Sequence, residues 1–225
     1  RVHVALKTRR FVVFSGLTGS GKSTIARLFA EAFHATSDNG RFVRVAVRPN
    51  WVDESEVLGY INPMTNRFEP GWMATLMRAC EREPNLPFFC LPDEMNLAPV
   101  EQYLADILSA MEEAYVSRAP VPVQLYSPGA QPANIDDWPA AIPFPGNLFL
   151  FGTVNIDEST RGLSDRVLDR ANVIQLSVKI GREHHAARPR DRRVSRRRVR
   201  MREWLEICAP QGSDQHHDLL VEIVG

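Results

Sequence analysis

The chain has 225 residues, 44% of them hydrophobic, enough for one large α/β domain with a buried core plus a smaller appendage. Its formal net charge of zero hides a split: Arg182 to Arg202 holds ten arginines against two acids, +8, while the remainder holds 17 basic and 25 acidic residues, −8. Three cysteines without CxxC spacing (Cys80, Cys90, Cys208) exclude a disulfide framework and a zinc knuckle, and no apolar run is long enough to span a bilayer, so a reducing, cytoplasmic setting without a membrane is expected. The start, Arg1-Val2-His3-Val4, has neither an initiator Met nor a signal-peptide layout and reads as an excerpt of a longer protein.

In chain order, an apolar strand over Phe11 to Phe14 runs into Gly16-Leu17-Thr18-Gly19-Ser20-Gly21-Lys22-Ser23. This is the Gly, four residues, Gly-Lys-Ser pattern of a phosphate loop. Glycines let the backbone N–H groups turn inward, and the helix that follows adds its partial positive charge. Lys22 is expected on the β- and γ-phosphates and Ser23 on magnesium, with Thr24 completing the nucleotide-binding set. The helix spans Ser23 to Phe33, with Ile25, Leu28, Phe29, Ala32 and Phe33 on one face. Phe42 to Val47 is a second strand, and Gly59 to Gly71 a projecting hairpin or loop. From Trp72, the stripe Met73, Leu76, Met77 and Cys80 marks a helix whose apolar face is core.

Pro87 to Asp93 is a strand ending in two acids, Asp93 and Glu94, followed by a helix through Val100, Leu104, Ile107, Leu108 and Met111. Ala119 to Pro145 is expected to be an exposed insertion whose only strand-like piece is Val121 to Tyr126. Asn147 to Val154 is a strand, Asp157 to Asp169 a short helix, and Ala171 to Val178 a closing strand. Strands alternating with helices imply a parallel sheet covered on both faces. Beyond Gly181 the periodicity ends in the arginine run, with short helix candidates at Trp204 to Ile207 and Leu219 to Val224.

A phosphate loop needs a second carboxylate for magnesium and a group that activates water. At the C-terminal end of a buried strand, Asp93 suits the first role and Glu94 the second. The pairs His184-His185 and His216-His217, with Cys208, fit no zinc spacing and read as surface residues. The arginine run suits DNA phosphates and equally an oligomer-facing basic segment.

The strings Gly16 to Ser23, Arg48-Pro49-Asn50-Trp51 with Leu58-Gly59-Tyr60-Ile61-Asn62-Pro63, Asp93-Glu94-Met95-Asn96-Leu97-Ala98, Gly152 to Thr160 and Leu168-Asp169-Arg170-Ala171 resemble the AAA+ ATPases, in their dynein-related, McrB-like branch. The resemblance covers about Val4 to Val178. It implies a three-layer α/β sandwich around a central parallel five-stranded sheet over residues 1–180, an Arg-rich linker over 181–203, and a partial or atypical helical region over 204–225. It also implies that Asn155 senses the γ-phosphate and that Arg170, with Arg166 as second candidate, acts on a neighbouring subunit's nucleotide. The plainer reading of both arginines is pairing with Asp165 or Asp169, which suits Arg166 better than Arg170. The partners implied are further copies of the chain in a ring, hexameric or otherwise, and a protein such as an effector nuclease, with DNA at the arginine run. The projecting hairpin and the insertion resemble elements that line a pore or touch partners.

Three departures stand out. Pro92 removes a ladder donor from a central strand, tolerable only at its very end. McrB itself uses GTP and carries Met-Asn-Thr-Ala-Asp, whereas Val154-Asn155-Ile156-Asp157 is one residue shorter, which favours ATP with magnesium while keeping GTP as the alternative. No sensing arginine of a helical lid is recognisable. Other classes that fit the loop are a small-molecule kinase acting within one chain and a non-hydrolysing nucleotide-dependent scaffold.

Overall fold

Phe11 to Phe14, Phe88 to Leu91 and Leu148 to Phe151 are apolar at every position, the pattern of strands covered on both faces. The computed structural model, which describes residues 1–117, 119–156 and 162–177, brings these runs together in one sheet. Its elements are α1 (Val2–Thr8), β1 (Phe11–Gly16), α2 (Lys22–Ala32), β2 (Phe42–Ala46), α3 (Ser55–Leu58), β3 (Gly59–Asn62), β4 (Arg67–Pro70) and α4 (Trp72–Arg82). There follow β5 (Phe88–Asp93), α5 (Val100–Tyr103), α6 (Ala105–Ser117), β6 (Pro122–Gln124), β7 (Ala141–Pro143), β8 (Leu148–Asn155), α7 (Asp165–Leu168) and β9 (Asn172–Leu176). The five-stranded sheet has the order β2-β5-β8-β1-β9, and all four pairings are parallel.

Alternation along the strands divides the core in two. Val12, Phe14, Phe89, Leu91, Phe149 and Phe151 pack with Leu6 of α1 and with Ala26 and Ala30 of α2. Phe11, Val13, Phe88, Cys90, Leu148 and Leu150 pack with α4, α5 and α6 through Met73, Met77, Tyr103 and Ile107. Phe89 stacks on Phe151 with ring centroids 5.8 Å apart, and Phe29 meets both rings edge-on. Burial of each such ring stabilises the fold by about 1.5–3 kcal/mol. This layering of helices on both faces of a parallel sheet is compatible with the sandwich of P-loop proteins.

Buried amides and guanidinium groups close the helix ends against the sheet. Asn147 donates from Nδ2 to the carbonyls of Cys80, Glu83 and Leu86, where α4 ends. Arg41, also buried, donates to the carbonyls of Phe33 and His34 beyond α2. Cys80 O lies in the last turn of α4, among the carbonyls a helix C-terminus leaves without an intrahelical donor, and the other acceptors lie just beyond the helix ends.

Several sequence expectations are corrected. Leu28 is 53% exposed; α2 meets the sheet through Ala26 and Ala30, whose small side chains let the helix lie close over Phe89 and Phe151. The helix expected through Met111 is divided into α5 and α6 at Leu104, although Leu104 N–H to Val100 O and Leu108 N–H to Leu104 O carry the helical bonding across. The 119–145 stretch is not simply exposed: Val123, Leu125, Ile142 and Phe144 are buried, and Val123 pairs with Ile142 across an antiparallel ladder of β6 and β7. Helix α7 occupies only Asp165–Leu168 of the expected Asp157 to Asp169, and residues 157–161 lie outside the described part. So do the proposed segments 181–203 and 204–225, with Cys208 and the histidine pairs. Among the described residues no helix is long and apolar enough to cross a membrane.

The expected hairpin is present as β3 and β4, paired Gly59↔Pro70 through Asn62↔Arg67. Its base is closed by Gly71 N–H donating to Leu58 O at 3.0 Å. Gly59 sits at φ +112°, and a Cβ there would lie 2.3 Å from Glu69 O, so only glycine fits. The hairpin and the 119–145 stretch are joined: Phe68 N–H donates to Asn134 Oδ1 at 2.8 Å, Asn134 Nδ2 returns a bond to Phe68 O at 3.0 Å, and Phe68 packs on Tyr126 and Trp138.

Candidate functional site

In a parallel sheet the strands deliver their C-terminal ends to one side, where ligands of open α/β sheets collect. Here that side carries Gly16, Asp93 and Asn155, with Gly16 and Asn155 directly opposite in the β1–β8 register. The glycine-rich loop leaves β1 and turns back through left-handed Gly19 (φ +79°) and Gly21 (φ +86°), the latter capping α2. Lys22 is 6% exposed, and its Nζ donates to the carbonyls of Gly16 at 2.9 Å and Leu17 at 2.8 Å. The buried Ser20 hydroxyl has no hydrogen-bond partner among the described residues. Leu17, Thr18, Gly19 and Thr24 are exposed, and Ser23 is half-buried.

Pro92 stands where the strand pairing allows it. The ladder of β5 with β8 ends at Cys90↔Leu150, before Pro92, while on the other side Pro92 is opposite Val45 of β2. Beyond Cys90 a side chain replaces the ladder: Thr153 of β8 donates to Asp93 Oδ1 at 2.6 Å and accepts Glu94 N–H at 2.7 Å. Ser23 Oγ donates to the same Asp93 Oδ1 at 2.7 Å, which ties the loop's last residue to the acid. Arg44 of β2 donates to Oδ2 from Nε at 2.9 Å and also from Nη2. Burial alone would push the Asp93 carboxyl up, but the bonds from Thr153, Ser23 and Arg44, with the Arg44 charge, outweigh it and hold Asp93 below its ordinary value.

Glu94 is a non-glycine residue in the left-handed region (φ 55°, ψ 48°), a conformation that costs about 1–3 kcal/mol and clusters at functional sites. It turns the exposed carboxylate toward β8, where Oε1 accepts Asn155 Nδ2 at 3.0 Å. The following residues hold that turn: Tyr103 OH donates to Met95 O at 3.0 Å, and Asn96 Nδ2 to Asn155 O at 3.4 Å. Lys22, Ser23, Asp93, Glu94 and Asn155, named from sequence, are thus gathered at one end of three adjacent strands.

Arg170 and Arg166 are not among them. The β1–β9 register pairs Val12 with Asn172, so Arg170 lies level with residue 10, at the opposite end of the sheet, roughly 20 Å from Gly16 at about 3.3 Å per residue. Its Nε pairs with Glu112 Oε2 of α6 at 2.8 Å, not with Asp165 or Asp169. Arg166 is exposed on α7 and makes no ion pair among the described residues, so the pairing expected of Arg166 belongs to Arg170.

Sequence reasoning missed two members of the site. Thr153 lies inside an apolar strand and carries no signal beyond being its one hydroxyl. Arg44 is a lone charge in Phe42-Val43-Arg44-Val45-Ala46, but its side chain is 60% exposed, where water would satisfy it, so only the β2–β5 pairing reveals its carboxylate partner.

No model of a known protein family matches this sequence, and no curated protein matches it.

Proposed function

We propose that this chain binds ATP with magnesium and hydrolyses it, as a module of the AAA+ type that works in a ring of copies. The observation that carries the reading is the convergence of Lys22, Ser23, Asp93, Glu94 and Asn155 at the C-terminal ends of β1, β5 and β8. The residues suit the ligand. Among the described residues Ser20 keeps a buried hydroxyl without a hydrogen-bond partner inside a loop rich in N–H donors, and Ser23 and Asp93 place two oxygens 2.7 Å apart. Hard oxygen donors of this kind are what magnesium takes alongside phosphates.

Ser23 and Asp93 would hold the metal, which when bound supplies charge neutralisation for the phosphates. Lys22 leaves its loop carbonyls for the β- and γ-phosphate oxygens, exchanging neutral acceptors for charged ones. Glu94 accepts the proton of the attacking water, and Asn155, already bonded to Glu94 Oε1, orients that water. Arg170 lies at the wrong end of the sheet for its own chain's loop, which supports a role on a neighbour's nucleotide, where a guanidinium neutralises developing charge. Assembly would couple hydrolysis to moving a partner protein or DNA.

Phosphate release measured against protein concentration, with ATP and with GTP, tests the reading. The expected result is magnesium-dependent ATP hydrolysis whose specific rate rises with concentration. Absence of release and of nucleotide binding at every concentration overturns it.

A further inference from the structure

Asp93 is 8% exposed and its two oxygens are treated differently. Oδ1 faces neutral donors, Ser23 and Thr153, whereas Oδ2 receives two N–H groups of one guanidinium, that of Arg44. We infer that Arg44 is the resident counter-cation of Asp93, displaced when a divalent cation arrives with nucleotide, so that it sets the metal concentration the site requires. The inference rests on the nucleotide reading above and adds to it a residue that no motif pointed to.

Charge makes the argument. A buried carboxylate without a cation is costly, and Arg44 meets that need. A divalent cation supplies the same compensation more strongly, and a guanidinium held against the same carboxylate would repel it. The hydroxyls on Oδ1 carry no net charge and do not compete in this way.

The surroundings of Arg44 give it somewhere to go. Its side chain is 60% exposed on an edge strand, and it borders an open groove of about 590 Å³. Glu56 and Glu69 line that groove with Arg48 and Tyr60, offering carboxylates outside the site. Arg44 therefore leaves Asp93 without crossing the core.

The test is a magnesium titration of fluorescent ATP-analogue binding, with manganese binding followed by electron paramagnetic resonance as a second readout. Arg44→Gln is expected to lower the magnesium concentration at half-saturation by roughly fivefold, the worth of a partly exposed ion pair. Should that variant fail to fold by circular dichroism, Arg44→Lys carries the test. It replaces the two-donor fork with a point charge, and a smaller fall is expected. An unchanged or increased magnesium requirement in the folded variant overturns the displacement while leaving the nucleotide reading intact. A parent chain that binds no analogue with or without metal overturns the nucleotide reading and this inference with it.

Discussion

The two ends of the central sheet use polar side chains in opposite ways. At the N-terminal ends of the strands, Asn147 and Arg41 donate to main-chain carbonyls where helices finish. Those acceptors are main-chain carbonyls at helix ends, two of which also take a local bond, His34 O from Asn39 Nδ2 and Glu83 O from Leu86 N–H, so the contacts belong to the fold itself. At the C-terminal ends, side chains bind one another: Ser23, Thr153 and Arg44 on Asp93, and Asn155 on Glu94. Such pairs exchange for a ligand without opening a helix or a strand. Lys22 sits between the two cases, because its acceptors are carbonyls but belong to the loop itself.

If this division holds, substitutions among the site residues at the C-terminal end change binding and turnover with modest loss of stability, and those at Asn147 and Arg41 do the reverse; Arg170 stands outside the division, because the role proposed for it is on a neighbouring copy. The largest effect is expected from Lys22→Ala, which removes the loop's one lysine and should abolish nucleotide binding by calorimetry. Unchanged ATP affinity would remove the loop from the site. Glu94→Gln should retain ATP yet stall, because an amide holds water without taking its proton; turnover at the parental rate would deny Glu94 that role. Arg170→Ala should keep affinity and cut hydrolysis by about a thousandfold or more, with partial recovery on mixing with Lys22→Ala, since each parent supplies the half-site the other lacks. No recovery between folded, co-assembled variants would point to a chain acting alone.

Smaller effects sharpen the comparison from the stability side. Asn147→Ala should cost about 1–3 kcal/mol, because carbonyls beyond α4 lose a buried donor, and about 2–4 °C of melting temperature per kcal/mol, with nucleotide affinity untouched. The acid response of Asp93 is the subtlest. Its carboxyl is held below the ordinary range, so its stabilising share is complete above pH 4 or so and fades as pH falls through the lowered value. Melting curves of the parent and of Asp93→Asn should therefore converge below about pH 4. A gap that stays constant from pH 6 to pH 2 would mean that the Asp93 charge contributes nothing.

The contrast also explains what could be read from sequence. Strands β1, β5 and β8 were legible because burial on both faces demands apolar runs, and the loop and the acid pair because each interrupts or ends such a run. Helix α1 was not read: seven residues with one buried leucine give too little periodicity, and Asn172, far along the chain, is bonded to its Ala5 carbonyl. Strand β7 was hidden in Ala141-Ile142-Pro143, whose proline argues against a strand except at an edge, where it lies. The Arg170–Glu112 pair joins residues that no local pattern relates, and the rule that arginines pair with adjacent acids led to the wrong partners.

The hydrogen bond from Gly71 to Leu58 bears on how separable the hairpin is from the rest of the chain. It brings the end of α3 and the start of α4 together at the hairpin base. An excision joining Leu58 to Gly71 through a short glycine bridge would leave the sandwich its connections. It would also strip Phe68 from Tyr126 and Trp138 and leave Asn134 with neither of its backbone partners, stranding the second excursion. Two segments far apart in sequence therefore stand as one structural unit, and neither can be removed without unpairing the other.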